Sequence, residues 1–347
     1  MMRFATAVAA ALAAFSACVQ AAPVEDRVDR SMERGLEYLL RVQREDGSFP
    51  GKYSETTALP ALAAMACLAK GHVPGDAKYG KLIERSLDYI LANADEKGYF
   101  GSKGNGKMYA HAISTLLLTE VSGMVSAERQ AQIDAVLPKA IKVILDAQGV
   151  KKDKGSTGGW RYTPDARDSD TSCSGWCLMA LRSARLNGAR VPGSAIKAAV
   201  EYMHRHSDGE LGCFGYQSTR QFTVTLSGAG ILCLELCGKH EDRASLRAAK
   251  YLMGIYKDPN NGMLKQEYKF YGLYYASQGL FQIGGENWKE FSAWLYPTGL
   301  EMQRQDGSWI GRGGEDSPVY ATSMMILAFA VPYRQLPVYQ RDETVDE

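Results

Sequence analysis

Three aspartates, Asp165, Asp168 and Asp170, lie close together in the stretch PDARDSDTSCSGWC, which runs from Pro164 to Cys177. Carboxylates this close can share a proton, ligate a cation or start a helix. After Asp170 the chain changes to small and apolar residues, TSCSGWCLMAL, a helical run. Asp170 therefore occupies an N-cap position, where a carboxylate accepts backbone N–H bonds and favours the helix dipole. Capping and chemistry are compatible when the helix opens onto a cavity, so the elements around this stretch decide what the acids can do.

The chain has 347 residues, 46% hydrophobic and 23% charged, with a net charge of +1. These are globular proportions with ample chain for a large core. The near-neutral balance excludes a nucleic-acid partner, which needs a basic face. There is no nucleotide-binding glycine loop, no Ser-His-Asp elbow and no H-E-x-x-H. At the N-terminus, Arg3, the apolar run Ala5 to Ala17 and the small-x-small site Val19-Gln20-Ala21 read as a signal peptide over 1–21. The expected location is periplasmic or secreted, with acylation at Cys18 the weaker reading. Beyond it stand Cys67, Cys173, Cys177, Cys213, Cys233 and Cys237. The pairs 173/177 and 233/237 sit one helical turn apart on apolar stripes, which predicts buried structural thiols rather than a metal site.

A glycine, any residue, then an aromatic recurs as Gly47-Ser48-Phe49, Gly98-Tyr99-Phe100, Gly158-Gly159-Trp160, Gly212-Cys213-Phe214 and Gly307-Ser308-Trp309, with a degenerate copy at Gly262-Met263-Leu264. The glycines are 51, 60, 54, 50 and 45 residues apart, a period that means a repeat architecture. An amphipathic stretch precedes each copy; in SMERGLEYLLRVQ, Met32, Leu36, Leu39 and Leu40 oppose Glu33, Arg34, Glu37 and Arg41. A stretch apolar nearly all round follows, such as TALPALAAMACLA. The spacing predicts outer helices over 27–44, 77–93, 127–148, 193–206, 241–257 and 286–304, and inner helices over 56–70, 109–124, 171–187, 221–237, 271–283 and 319–331. No strand pattern stands out. All-round apolar inner helices favour a closed ring over an open solenoid, which would expose one of their faces. The expectation is an all-α, single-domain α/α toroid over 22–332, with six hairpins and twelve main helices, inner helices lining a central cavity, and a tail over 333–347. In the tail, Leu336, Pro337 and Tyr339 are expected to pack.

QREDGSF (Gln43 to Phe49) and QRQDGSW (Gln303 to Trp309) resemble the Q-x3-G-x-W repeat of squalene and other terpenoid cyclases, whose toroid is shared by protein prenyltransferase β subunits. YAHAISTLLLTE, SDTSCSGWCLMALRSAR and YRQLPVYQR are also similar to exported bacterial prenyltransferase/squalene-oxidase repeat proteins. The resemblance spans the mature chain and implies the fold; function is not fixed by fold. Against the prenyltransferase zinc frame, Asp170, Ser174 and Trp176 fit, but Ser172 stands where the thiolate belongs and Ala321 of Tyr320-Ala321-Thr322 where the histidine belongs. Serine and alanine cannot replace those ligands, and Cys173 points about 100° away around the helix. No metal, no cofactor and no prenyltransferase α subunit is therefore expected. Against the cyclase D-x-D-D, the chain offers Asp168-Ser169-Asp170-Thr171, one acid short.

The rim formed by the inner-helix starts collects the candidate ligand-binding residues Glu55, Tyr109, His111, Arg220, Gln221, Tyr271, Tyr274, Tyr275, Glu315, Asp316 and Tyr320, with Trp176 deeper, around the candidate acids Asp168 and Asp170. His111 lies where prenyltransferases carry a diphosphate-contacting histidine. These residues predict a toroid that binds an apolar small molecule, a lipid or a peptide in its central cavity. The alternative is a divergent terpenoid cyclase with Asp168 and Asp170 as the acid pair, and a third reading is a scaffold acting through its outer surface.

Overall fold

The computed structural model describes residues 24–339 apart from 53 and 105. The signal-peptide reading, Cys18 and the tail beyond 339 lie outside the described residues. The amphipathic stretches form outer helices α1 (Val24–Val42), α3 (Gly80–Ala92), α5 (Ala127–Gly149), α7 (Gly193–His206), α9 (Arg243–Ile255) and α11 (Gly285–Met302). The apolar stretches form inner helices α2 (Ala58–Ala69), α4 (Lys107–Val121), α6 (Thr171–Leu186), α8 (Val224–Leu236), α10 (Lys269–Ile283) and α12 (Pro318–Phe329). Burial follows the pattern: α1 buries Met32, Leu36 and Leu39 but exposes Arg34 and Glu37, whereas every residue of α8 is buried.

Each inner helix packs on the next, from α2 through α4, α6, α8 and α10 to α12, and α12 packs back on α2. The ring is closed, as all-round burial of the inner helices requires. The closing seam is also polar. The Gln303 side chain donates to the Ser31 carbonyl at 2.8 Å and accepts from the Ser31 hydroxyl at 2.9 Å, while Arg34 and Arg41 of α1 donate to the carbonyls of Arg304 and Asp306, each at 3.0 Å.

The repeat motif is the joint between units. Its glutamine ties its own turn to the next outer helix: Gln43 donates to the carbonyls of Gly47 and Leu82, and Gln148 to those of Gly158 and Ala195. Gly158 and Gly307 both have φ +89°, and a Cβ there would lie 2.2 Å from the Ala198 carbonyl oxygen and 2.4 Å from that of Arg34. Only glycine combines that backbone with so close an approach. The aromatics Phe49, Phe100, Trp160, Phe214 and Trp309 are all buried. At the degenerate fifth copy the joint changes: Gly262 keeps a negative φ, Met263 takes the buried place and Leu264 is exposed.

One feature departs from the expected pattern. A short antiparallel pair, β1 (Phe214–Gly215) with β2 (Phe222–Thr223), lies in the fourth turn, so α8 starts at Val224 rather than at 221. The start of the tail packs as expected, with Pro337 half-buried. Leu336, Val338 and Tyr339 are buried at the end of the ring opposite the glycine turns. The six cysteines among the described residues are buried and free.

Candidate functional site

Asp170 caps α6 as its sequence position implies: one carboxylate oxygen accepts the Cys173 N–H at 2.8 Å and the Ser172 hydroxyl at 3.0 Å. The other accepts from Arg161, Nη1 at 3.1 Å. Arg161 follows the turn aromatic Trp160, whose carbonyl accepts the Asp170 N–H at 2.9 Å, and this backbone bridge brings the arginine to the cap. The same guanidinium meets Asp168, with Nε 3.4 Å from its carboxylate, and lies over the rings of Tyr162 and Tyr216 at 4.3 and 5.3 Å. Nη1 also donates to the Tyr216 hydroxyl at 3.1 Å, and Tyr216 and Tyr162 are hydrogen-bonded through their hydroxyls. Gln217 donates to Asp168 at 3.1 Å. One arginine thus bridges both candidate acids inside a tyrosine cage.

The two acids differ in access. Asp170 is fully buried, whereas the Asp168 side chain is 49% exposed. Burial pushes the Asp170 pKa above the ordinary carboxylate value, while the cap N–H, Arg161 and Ser172 pull it down. All three polar contacts on Asp170 are donors. That geometry suits a carboxylate held in place, not an acid aimed at a substrate.

The axis of the ring is filled with side chains. Near the rim Tyr109 of α4 is hydrogen-bonded to the Ser172 hydroxyl, and Tyr271 of α10 donates to the Ser172 carbonyl at 3.3 Å. Deeper, Trp176 of α6 stacks on Tyr274 at 5.6 Å with a 7° tilt, and Tyr275 meets its edge at 5.7 Å. α6 and α10 are separated by α8 in the ring, so these contacts reach across part of its interior. The central cavity expected around Trp176, Tyr274 and Tyr275 is packed at this level, because large aromatics from α6 and α10, on either side of α8, meet there.

His111 is fully buried and both ring nitrogens are engaged: Nδ1 accepts the Phe100 N–H at 3.3 Å and Nε2 donates to the Ala140 carbonyl at 3.0 Å. Burial pushes its pKa down to about 4, which fixes the neutral form. Ser174, Ser227 and Thr322 occupy the equivalent place, accepting the backbone N–H groups of Trp160, Phe214 and Trp309. The geometry gives His111 the role of holding a repeat turn in place of the diphosphate contact that the resemblance implied. Glu315 is equally occupied. It is buried and accepts the N–H groups of Phe270 and Tyr271 at 3.0 and 2.8 Å, capping α10, and burial pushes its pKa up to about 7.

The remaining candidates are spread around the rim. Asp316 pairs with Lys52 at 3.4 Å across the seam. Arg220 and Gln221 are exposed on the turn between β1 and β2, and the Gln221 side chain accepts the Gln217 N–H at 3.2 Å. Tyr320 is half-buried in the first turn of α12. Glu55 lines a separate open groove of about 810 Å³ with Glu45, Arg85, Tyr89 and Lys103, which shares no residue with the Arg161 cluster. Sequence reasoning missed Arg161, Tyr162 and Tyr216. The available signal was the Arg-Tyr pair directly after Trp160, in a turn that must abut the Asp170 cap.

No family model matches the chain, and no curated protein matches it by sequence. Solved structures do match. The GH76A α-1,6-mannanase of Salegentibacter sp. HEL1_6 is 11% identical, with a TM-score of 0.62 over 88% of this chain and 99% of that one. An inactive variant of that enzyme, with asparagine in place of two adjacent aspartates and α-1,6-mannotriose bound, has a TM-score of 0.65 at 11% identity over the same shares. An arginine-to-alanine variant of the type II terpene cyclase MstE from Scytonema, in complex with geranylgeranyl dihydroxybenzoate, is 13% identical, with a TM-score of 0.59 over 90% of this chain and 99% of that one. At these identities the likeness is one of fold. The chain has the α/α toroid fold of the type II terpene cyclase and the α-1,6-mannanase, as the resemblance of its repeats to terpenoid cyclases implied.

Proposed function

We propose that this protein is a ligand-binding toroid that seats a small molecule at the inner-helix rim, without turnover. The observation that carries the reading is the Arg161 bridge between a buried Asp170 and a half-exposed Asp168, flanked by Tyr162 and Tyr216. Asp168, Gln217 and the tyrosine hydroxyls offer hydrogen bonds, and the exposed face of Tyr162 offers an apolar platform. Such a site fits an amphipathic molecule with a hydroxyl- or amine-bearing part better than a fully apolar chain along the axis. Solved proteins of this fold hold a mannotriose and a geranylgeranyl dihydroxybenzoate, which supports a small molecule over a macromolecule. The reading includes export by the N-terminal leader.

The test is native mass spectrometry of protein purified from its own host, followed by titration of the released ligand into Asp168→Asn and Tyr162→Ala. Both variants are expected to weaken binding at least tenfold with little change in stability. Unchanged affinity in both, or a cyclised or hydrolysed product from purified protein, refutes it. One observation favours the divergent-cyclase reading: burial raises the Asp170 pKa. That reading requires Asp170→Asn to abolish a measurable turnover while the fold survives.

A further inference from the structure

The end of the toroid away from the rim is closed by the chain itself. After α12 the backbone turns at Arg334, which holds the left-handed φ of 49°, and the strap Val331–Tyr339 runs back under the ring. Its side chains Leu336, Val338 and Tyr339 are buried. Two inner helices hydrogen-bond to it and α6 packs against it. Gln282 of α10 donates to the Tyr339 carbonyl at 2.6 Å, Tyr274 of α10 is hydrogen-bonded to the Tyr339 hydroxyl, and Glu120 of α4 accepts the Val338 N–H at 3.1 Å. The second Glu120 oxygen accepts the Ser183 hydroxyl of α6. Beneath the strap, the buried Gln278 has a side-chain oxygen without a partner and lines a crevice of about 10 Å³.

We infer that the C-terminal strap is a releasable plug of the toroid's base, latched closed when Glu120 holds a proton and loosened when Glu120 is ionised. The strap covers a carboxyl group with no cation beside it among the described residues; when Glu120 is protonated, its Oε1 donates to the Ser183 hydroxyl, which turns its own hydrogen to Thr119 Oγ1 at 2.5 Å, and Oε2 still accepts the Val338 N–H. The titratable groups facing it are Tyr274 of α10 and Tyr339 of the strap, both held neutral by burial, while α6 presents Ser183. Burial pushes the Glu120 pKa up to about 7 even with both donors in place. Lifting the strap hydrates the carboxyl and returns it to the ordinary range near 4.5. Closure and protonation therefore favour one another, and by linkage the closed state loses population as pH rises from the open-state value through the closed-state one. The full change corresponds to about 300-fold in the closed-to-open ratio, from the difference between those two values. A loosened strap would first uncover Gln278, whose unpaired oxygen offers an acceptor to an entering donor.

The test is hydrogen–deuterium exchange on the full-length protein, following residues 331–339 with rates corrected for intrinsic chemistry. Protection of the Val338 amide is expected to fall by about 70-fold between pH 5 and pH 8, most of the full change. Glu120→Gln is expected to keep the strap closed with no pH dependence. Equal protection of the wild type at both pH values, or an unchanged pH dependence in Glu120→Gln, overturns the inference. Should Glu120→Gln fail to fold, Tyr339→Phe decides. It removes the link to Tyr274 and is expected to lower protection at every pH while keeping the fall between about pH 4.5 and pH 7; a pH-independent response overturns the latch.

Discussion

If Asp170 is an anchor for Arg161, removing the arginine must hurt most while the carboxylate remains. Arg161→Met leaves a fully buried carboxylate with its cap bonds but no cation. Breaking a buried pair from one side costs about 3–5 kcal/mol, and the guanidinium is partly exposed, so about 3 kcal/mol is expected. The half-exposed Asp168 pairing adds at most about 0.5 kcal/mol. Asp170→Asn keeps an oxygen for the Cys173 N–H but turns an N–H₂ group toward Arg161, for about 2 kcal/mol. The double variant removes both halves of the pair, so its cost should fall short of the sum by about 2 kcal/mol. Denaturant unfolding of the three variants at pH 7 measures this coupling. In Arg161→Met the loss should also shrink as pH falls, because the Asp170 pKa, already raised by burial, rises further without the guanidinium, so the variant takes up the proton at a higher pH than the wild type. Additivity within about 0.5 kcal/mol, or a loss that does not vary with pH, would refute the anchor reading.

Other outcomes follow from single contacts. His111 has a folded-state pKa of about 4, below its ordinary 6.5, so its contribution to stability is intact above pH 6.5 and about 3 kcal/mol is lost as pH falls to 4; stability curves of His111→Gln should lack this acid limb. Glu315 has its pKa raised to about 7, so its contribution is intact below about 4.5 and is lost as pH rises to 7, by about 3 kcal/mol; Glu315→Gln, compared with wild type over that range, should flatten the slope. Gln303→Ala deletes both side-chain bonds to Ser31 at the seam and the bond to the Gly307 carbonyl, and should cost about 2–4 kcal/mol in denaturant unfolding. Trp176→Ala empties the packed axis beside Tyr274 and Tyr275 and should cost about 3–5 kcal/mol while creating a site for a small aromatic solute, detectable by thermal shift.

The ring was legible because Gly-x-aromatic is a steric requirement: where the next outer helix lays a carbonyl against Gly158 or Gly307, no other residue fits. The Asp170 cap was legible for a similar reason, since capping is local. Contacts across units were not. Arg161 reaches Asp170 through a backbone bridge from Trp160, which no local periodicity reveals. His111 entered the candidate set through its likeness to the diphosphate-contacting histidine of prenyltransferases, which carries no information on the backbone groups that face it here. Counting from each turn aromatic does not reveal its equivalence with Ser174, Ser227 and Thr322, which lie 14, 13 and 13 residues after their aromatics against 11 for His111. β1 and β2 are two residues each, too short to alternate. The filled axis follows from which aromatics meet across the ring, a property of the closed assembly.

The seam between the first and last units bears on how such a chain comes to be folded. Ser31 and Gln303 are 272 residues apart in sequence, yet their contact is of the same kind as those joining neighbouring units. Bringing such distant segments together carries a loop entropy that neighbouring units do not pay, and contacts of this separation slow folding. A nascent chain that has released only its first units has α2 with one flank unprotected, because α12 is made last. An all-apolar helix left in that condition is sticky. The geometry that leaves the finished ring without an exposed end therefore places the hazard in the interval before the final hairpin emerges.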